Sequence, residues 1–322
     1  MPPYFLTRTI PAYFGRMQQT GLTRAMTWGV GPRVIRRVPD GWSERAYTRL
    51  KLEPYTEVIG AEVHGVNLSD PLDDEVRDEI RHALLEWKVL FFRNQQLTSP
   101  QQLRFAQAFG ELEHHPFLQQ GDSQEVVRFE KGDDLTNPAN VGTENGWHSD
   151  VTWRLEPAMG AVLRAVEVPE RGGDTVFADM GCAYDNLPPE LRDRIDDLRA
   201  VHSFVHVFGF GMSKEKRARM LEQYPPVEHP VVRIHPETGR KTLFVNSFFT
   251  ERIVGVDDAE SEWLLDRLAM QAMHPEWQVR LHWTPGTVAM WDNRATQHYA
   301  SSDYYPQRRV MERVSIKGDR PY

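Results

Sequence analysis

The apolar residues near the start of the body of this chain recur with the period of a helix. Between residues 73 and 87 they stand every three or four positions, as Val76, Ile80, Leu84 and Trp87. This spacing places the four side chains on one face of an amphipathic helix. We therefore predict a helix over residues 73–87, with its apolar face against a core.

A strand and a second helix are predicted directly after it. Residues 89–93 form a short apolar run that is typical of a buried strand. Ser99 and Pro100 are typical of the N-cap and first turn of a helix, and Gly110 after Phe109 is typical of its end.

Beyond residue 160 the pattern changes to short apolar segments separated by turn signals. The predicted strands are 161–167, 174–178, 199–206, 230–235, 242–246, 277–283, 286–291 and 309–316. Helical patterns near 189–198 and 257–273 interrupt them. So many short strands indicate a mainly β fold with flanking helices, built on a β-sandwich or barrel-like core.

The composition of the 322-residue chain is that of an ordinary globular protein, with 40% hydrophobic and 26% charged residues. This length fits one large domain or two small ones. Cys182 is the single cysteine, which excludes a disulfide framework and a cysteine-rich metal site. Because neither a bilayer-spanning run nor a signal-peptide pattern is evident, we expect a cytoplasmic protein with no membrane partner.

Charge is distributed unevenly along the chain. Residues 1–48 contain seven arginines and two acidic residues, whereas the remainder carries 31 basic and 44 acidic residues. A body this acidic is a poor non-specific binder of nucleic acid, so we expect no nucleic-acid partner. We predict an N-terminal extension over 1–48, with Met17 and Met26 as alternative starts, and a single domain over 49–322.

A candidate metal site begins in the segment Trp147-His148-Ser149-Asp150. In an extended segment, residues two apart point the same way, so His148 and Asp150 can reach one cation together. His298, near the last predicted strands, is the candidate third ligand. Two histidines and one carboxylate leave coordination positions open, which suits Fe(II) with an oxoacid and O₂.

A zinc pair formed by His202 and His206 is the weaker candidate. The two histidines are four residues apart, as in zinc sites on helices, but no Glu stands beside His202. Their segment has the pattern of a strand. We therefore expect one core and one surface histidine.

Two arginines accompany the candidate metal site. Arg309 and Arg313 are four residues apart in the predicted strand 309–316, so their side chains share one face. If that face is also the face of His298, the guanidiniums can bind anions through paired hydrogen bonds. Two solvated surface arginines are the alternative.

Four long motifs resemble the taurine dioxygenase (TauD/TfdA) family. They are Trp147-His148-x-Asp150, Gly172-Gly173-Asp174-Thr175, Trp291-Asp292-Asn293-Arg294-x-x-Gln297-His298-Tyr299-Ala300 and Asp303-Tyr304-x-Pro306-x-Arg308-Arg309-x-Met311-x-Arg313. The resemblance begins at about residue 52 and reaches the C-terminus. Residues 1–48 have no recognised counterpart.

This resemblance implies a double-stranded β-helix, or jelly-roll, core and a dioxygenase that uses Fe(II), 2-oxoglutarate and O₂. It implies Fe(II) bound by His148, Asp150 and His298, with no further catalytic side chain. The distal carboxylate of 2-oxoglutarate would be held by two other residues, Thr175 and Arg309. Trp291 would line the cofactor pocket, although a place in the core fits it equally well. We also expect a homo-oligomer, either a dimer or a tetramer.

The resemblance further implies a small substrate with an anionic head group. His115 and Arg313 occupy the positions that hold the taurine sulfonate in the family. The other implied substrate-binding residues are Val151, Phe208, Phe249, Leu118 and Glu144.

Two of these residues depart from the taurine pocket. Leu118 replaces an aromatic residue, and Glu144 stands near the place of a polar amide. A larger, more apolar pocket favours a bulkier sulfonate or an alkyl sulfate ester over taurine. A carboxylate of the aryloxyacetate or N-carboxymethyl fatty acid type is the alternative, and an inward-facing Glu144 would bind an amine.

Two functions of other classes remain open at this point. A zinc hydrolase would use the same three ligands but would give no role to Arg309 or Thr175. A non-catalytic jelly-roll binding module would not need all three ligands.

Overall fold

The computed structural model of the chain describes residues 33–43, 45–118, 120–132, 145–209 and 211–322. Its strands are β1 (Lys51–Pro54), β2 (Ala61–His64), β3 (Val89–Phe92), β4 (Val126–Lys131), β5 (Gly160–Glu167), β6 (Thr175–Asp179), β7 (Arg199–His202), β8 (Val227–Pro230), β9 (Val232–Ile234), β10 (Lys241–Leu243), β11 (Thr250–Val254), β12 (Gln278–Leu281), β13 (Val288–Asp292), β14 (Thr296–Ala300) and β15 (Arg309–Ile316). Its α-helices are α1 (Asp74–Trp87), α2 (Ser99–Gln107), α3 (Met180–Asp185), α4 (Pro189–Ile195), α5 (Val205–Phe208), α6 (Lys214–Gln223) and α7 (Asp258–Ala269). The 3₁₀ turns Met270–Met273 and Pro275–Trp277 follow α7.

Two antiparallel sheets face each other around the main core. The larger has the order β1-β2-β3-β13-β5-β15-β4, and the smaller has the order β12-β6-β14. Only the contact between β2 and β3 is parallel in these two sheets. Phe91, Trp291 and Met311 from the larger sheet pack with Phe177 and Leu281 from the smaller one. This is the jelly-roll architecture with flanking helices that the family resemblance implies.

The outer face of the larger sheet is covered by α1 and α2. Leu90 and Phe92 point to this side and pack with Ile80, Leu84 and Phe105 of the helices. The neighbouring residues of β3 face the core between the sheets instead. Because successive residues of a strand point to opposite faces, the unbroken apolar run of β3 is explained by burial on both sides.

The structure departs from the predicted strand pattern near residue 203. We predicted a strand over 199–206, but β7 ends at His202 and a helical turn, α5, follows. The amide of Phe208 donates to the carbonyl of Phe204 at 2.8 Å. Both rings then pack against Phe117, at centroid distances of 4.8 and 5.0 Å. Aromatic packing therefore overrides the strand pattern here.

Residues 35–322 form one compact unit, which includes the end of the predicted N-terminal extension. Arg37 forms a 3.1 Å ion pair with Glu86, and the Tyr47 hydroxyl donates to the same carboxylate at 2.7 Å. Residues 1–32 lie outside the described residues, and the boundary at 48/49 stays a prediction. No helix in the described ranges has the length and apolar character needed to cross a membrane.

Candidate active site

A cavity of about 270 Å³, called the central cavity below, is lined by residues of both facing sheets. The predicted site residues that line it are His115, Leu118, His148, Asp150, Val151, Thr175, Phe208, Phe249, Trp291, His298, Arg309 and Arg313. Glu144 lies outside the described residues. The structure thus brings twelve of the thirteen predicted residues to one place, although they come from segments far apart in sequence.

The three candidate metal ligands meet at the edge of the smaller sheet. His148 and His298 form a bridge in which each amide donates to the other carbonyl, at 3.1 and 2.8 Å. Asp150 follows two residues after His148. One potential ligand atom from each of the three side chains lies within 4.8 Å of the others, and no other such group of three is found among the described residues.

The chemistry of this donor set fits a divalent cation. Nδ1 of His148 lies 2.8 Å from the carbonyl of Gly146, which leaves Nε2 on the side of Asp150, 3.9 Å from Oδ1. Oδ2 of Asp150 and Nδ1 of His298 are buried, and neither atom has a hydrogen-bond partner within the described part of the chain. Buried polar atoms seldom lack a hydrogen-bond partner. A bound cation would take the place of that partner for a carboxylate oxygen.

The protonation states also suit a metal site. Burial, together with the nearby His148, lowers the pKa of His298 to about 3, so its imidazole is neutral near pH 7. Burial alone would raise the pKa of Asp150, but Arg313 and the two histidines hold it below its ordinary value. A neutral imidazole and an ionised carboxylate are the forms that bind metal.

The backbone of Asp150 is held by the amide side chain of Asn293. Oδ1 of Asn293 accepts from the Asp150 amide at 2.6 Å, and Nδ2 donates to the Asp150 carbonyl at 2.9 Å and to the Ala158 carbonyl at 3.0 Å. The next residue, Val151, has a φ of 49°. A β-branched residue in this left-handed region costs about 1–3 kcal/mol, so the surrounding hydrogen bonds must hold it there.

Phe248 packs directly on the ring of His148. Their ring planes are inclined by only 14°, and their centroids are 4.6 Å apart. A Cβ atom on Gly146 would lie 1.9 Å from Cε1 of Phe248, so only glycine at position 146 leaves room for this ring. The stack and the hydrogen bond to the Gly146 carbonyl together set the orientation of His148.

Arg309 and Thr175 both line the central cavity. A Cβ atom on Gly173 would lie 3.1 Å from both Cδ and Nε of Arg309, so the glycine allows the guanidinium stem to pass close to the backbone. The guanidinium carbon lies 5.6 Å from the ring centroid of Tyr304. A cation and a hydroxyl that line the same cavity suit an anion such as a carboxylate.

Arg313 supplies the positive charge nearest to the metal ligands. Its Nη1 donates to Oδ1 of Asp150 at 2.6 Å, and its guanidinium carbon lies 5.1 Å from the ring centroid of Phe129. His115 lines the same cavity and is neutral, because burial and Arg313 lower its pKa to about 3. An anionic group here would therefore meet one full positive charge and one neutral imidazole.

Apolar side chains form most of the remaining wall of the cavity. Besides the predicted residues, seven apolar and three charged residues line it: Phe129, Leu163, Phe177, Val207, Phe248, Ala300 and Met311, with Arg128, Glu130 and Lys131. These ten residues were not predicted from the sequence. For Phe248 a signal was present, because Oδ1 of Asn246 accepts from the amides of both following phenylalanines in an Asx turn. Such a turn allows adjacent side chains to line one cavity, whereas a strand would separate them.

His202 and His206 do not form a metal pair. His202 is buried, and its Nδ1 lies 3.0 Å from Oγ1 of Thr152. The side chain of His206 on α5 is 64% exposed. One core and one surface histidine is the arrangement that the sequence predicts.

Comparisons with known proteins agree with this geometry. An alkylsulfatase of Acinetobacter baylyi is 39% identical over 280 residues, which are 84% of this chain and 86% of the relative. An alpha-ketoglutarate-dependent sulfate ester dioxygenase of Pseudomonas putida is 38% identical over 281 residues, covering 84% and 91%. Other relatives are named as sulfonate and 2,4-dichlorophenoxyacetate dioxygenases.

The same likeness is found among solved structures. A taurine dioxygenase from Burkholderia xenovorans superimposes with a TM-score of 0.73 and 39% identity, over 85% of this chain and 91% of that one. The family model described as taurine catabolism dioxygenase TauD, TfdA family matches residues 51–315. The chain therefore belongs to the TauD/TfdA family and is an Fe(II)- and 2-oxoglutarate-dependent dioxygenase.

Proposed function

We propose that the chain oxidises an alkyl sulfate ester, at the carbon that bears the ester oxygen. The observation that carries this proposal is the position of Arg313, a buried cation beside the metal ligands at the start of a largely apolar wall. A small anionic head group attached to an apolar chain fits these surroundings. The alkylsulfatase and the sulfate ester dioxygenase described above, which are 39% and 38% identical to this chain, support a sulfate ester over a sulfonate.

Each group of residues has its own part in this reaction. His148, Asp150 and His298 hold Fe(II), while Thr175 and Arg309 bind the distal carboxylate of 2-oxoglutarate. When bound, the iron supplies the activation of O₂ that is coupled to the decarboxylation of 2-oxoglutarate to succinate and CO₂. Trp291, which is buried against Phe177 and His298, encloses the cofactor side of the cavity.

The substrate side is arranged by His115, Arg313 and the apolar wall. Arg313 binds the sulfate group with charge-assisted hydrogen bonds, and the neutral His115 adds a further polar contact. Val151, Leu118, Phe208 and Phe249 exclude water around the alkyl chain, which orients the carbon next to the ester oxygen toward the metal site. The oxidation inserts one oxygen atom into that C–H bond, and the product separates into an aldehyde and sulfate.

Leu118 disfavours taurine as the substrate. It lines the cavity beside the aromatic wall, where an apolar side chain offers no partner to the amino group of taurine. Whether Glu144 faces the cavity stays a prediction, because it lies outside the described residues. We also propose that the chain acts in the cytoplasm as a homo-oligomer, which rests on the sequence analysis alone.

A carboxylate substrate is the second candidate. Arg313 binds carboxylates as readily as sulfates, and one relative is named for 2,4-dichlorophenoxyacetate. The apolar wall includes three phenylalanines that can pack on an aryl ring: Phe208, Phe248 and Phe249. The two candidate substrates therefore differ in their head group, which is a sulfate ester in one and a carboxylate in the other.

A matched substrate set tests this proposal. The protein is supplied with Fe(II), 2-oxoglutarate and O₂, and succinate formation is measured with one alkyl chain carrying a sulfate ester, a sulfonate, a carboxylate or a hydroxyl group. We expect the sulfate ester to give the fastest coupled turnover and the neutral alcohol to give none above background. Coupled turnover of the carboxylate alone would instead establish the second candidate.

A further inference from the structure

We propose that Trp283 positions the hydroxyl of Thr175 so that it donates a hydrogen bond to the distal carboxylate of 2-oxoglutarate. The proposal deepens the proposed function and rests on it, because it takes Thr175 as part of the 2-oxoglutarate site. Thr175 lines the central cavity, whereas Trp283 is buried behind it and is not one of the lining residues. Trp283 would therefore act on the cofactor through Thr175.

The two residues are joined by one buried hydrogen bond. Nε1 of Trp283 donates to Oγ1 of Thr175 at 3.0 Å. Leu281, the last residue of β12, is the partner of Thr175 across the smaller sheet, so Trp283 follows two residues beyond this pair. Within the described chain this is the one hydrogen bond of the Thr175 side chain.

The direction of that bond decides what the hydroxyl can do next. An indole N–H only donates, while a hydroxyl has one hydrogen and two lone pairs. Trp283 therefore occupies a lone pair of Thr175 and leaves its hydrogen for an acceptor. The restricted χ1 rotation of a β-branched side chain fixes the position of Oγ1, from which that hydrogen is donated. A carboxylate, which only accepts hydrogen bonds, is the matching partner on the cavity side.

The backbone of Thr175 is held independently of the indole N–H. Nε of Arg280 donates to Oδ2 of Asp174 at 2.6 Å, and Nδ1 of His282 lies 2.8 Å from Oδ1 of the same carboxylate. Two residues near Trp283 in sequence thus fix the residue before Thr175. Loss of the N–H should consequently release the rotation of the hydroxyl while the strand stays in place.

Binding of 2-oxoglutarate to the Mn(II)-loaded protein, measured by anaerobic calorimetry, tests the proposal without turnover. We expect Trp283→Phe to weaken 2-oxoglutarate binding by about threefold to tenfold, the size of one net hydrogen bond. On a Thr175→Val background the same change should have no further effect. Binding of 2-oxovalerate, which lacks the distal carboxylate, should be the same in Trp283→Phe and wild type.

Trp277→Phe is the matched control. Its Nε1 also donates a buried hydrogen bond, to the carbonyl of Gln271 at 2.8 Å, but Trp277 does not line the central cavity. The control should leave 2-oxoglutarate affinity unchanged. If Trp283→Phe does not fold, benzothienylalanine at position 283 keeps the ring size and removes only the N–H.

The results of these binding experiments distinguish the role of Trp283 from the proposed function of the chain. If the wild type binds 2-oxoglutarate no better than 2-oxovalerate, the distal carboxylate is not held at Thr175, and both ideas are wrong. If the wild type prefers 2-oxoglutarate but loss of the Trp283 N–H has no effect, only the role of Trp283 is overturned. Equal weakening of both ligands would also overturn it, because that result indicates general damage to the site.

Discussion

Nη1 of Arg313 lies 2.6 Å from Oδ1 of Asp150, so the candidate substrate cation and the candidate metal carboxylate form one buried ion pair. The other carboxylate oxygen, Oδ2, is buried without a hydrogen-bond partner among the described residues. Asp150 therefore has one oxygen toward Arg313 and one that is available to a metal. The ion pair between Arg313 and Asp150 therefore links the proposed substrate-anion site to the metal site.

Arg313→Gln should make the protein more dependent on its metal. Removing one member of a buried ion pair costs about 3–5 kcal/mol, because the remaining charge is left uncompensated. We expect the metal-free variant to unfold at a lower temperature than the wild type, and Mn(II) to raise its unfolding temperature by more than it raises that of the wild type. An equal increase in both proteins would show that the pair and the metal do not interact.

Arg309→Ala should weaken the binding of 2-oxoglutarate and leave the binding of metal unchanged. Loss of charge-assisted hydrogen bonds to a carboxylate predicts about a hundredfold lower affinity. The neighbouring Arg308 is the matched control, since its guanidinium is exposed and contacts Glu130 and Glu167 at the surface. Titration of each variant with Mn(II) and then 2-oxoglutarate measures both affinities. A comparable loss of Mn(II) affinity in Arg309→Ala would refute the assigned role.

Gly146→Ala should weaken metal binding through Phe248. The added Cβ would meet the Phe248 ring at 1.9 Å, and moving that ring removes the stack on His148. Changes to groups that orient a ligand lower metal affinity about 10-fold to 100-fold. Gly132→Ala is the control, because a Cβ at that position meets no atom of the described residues within 4 Å. Mn(II) affinities that are the same in both variants would contradict the positioning role.

The buried His229 should make the stability of the fold depend on pH. Its Nε2 lies 2.9 Å from the carbonyl of Arg154, and burial lowers the pKa of its imidazole from 6.5 to about 4. Between these values the unfolded chain binds a proton that the folded chain does not. The contribution of His229 to stability is therefore complete above about pH 6.5 and falls by about 3 kcal/mol as the pH falls toward 4.

His229→Gln removes this titration and keeps a donor for the Arg154 carbonyl. Urea unfolding across this pH range should show a smaller decrease in the free energy of unfolding for the variant than for the wild type. Above about pH 6.5, the free energy of unfolding should change with pH in nearly the same way in both proteins. A decrease of the same size in both would mean that His229 is not the group responsible.

The parts of the site that the sequence predicts are those with a fixed spacing on extended chain. His148 and Asp150 are two residues apart, and Arg309 and Arg313 are four apart on β15, so each pair shares a face before any tertiary structure is known. The motifs that contain these residues add Thr175 and His298. Strand geometry and the family resemblance together therefore account for the metal ligands and for Thr175, Arg309 and Arg313.

The residues that the sequence analysis missed depend on turns and on packing between distant segments. Phe248 reaches the cavity only because Asn246 forms an Asx turn, and Val207 does so only because the chain forms α5 in place of a longer strand. Trp283 and Asn293 act through hydrogen bonds to residues more than 100 positions away. Local periodicity contains no information about such contacts.

The products formed from an alkyl sulfate test most directly whether the chain oxidises the ester with 2-oxoglutarate and O₂. The protein is incubated with Fe(II), 2-oxoglutarate, O₂ and the ester, and succinate, sulfate and the organic product are quantified together. We predict equal amounts of succinate, sulfate and aldehyde, with none formed when O₂ or 2-oxoglutarate is left out. Release of sulfate together with the alcohol, without succinate and with zinc in place of iron, would show a hydrolase and contradict this account.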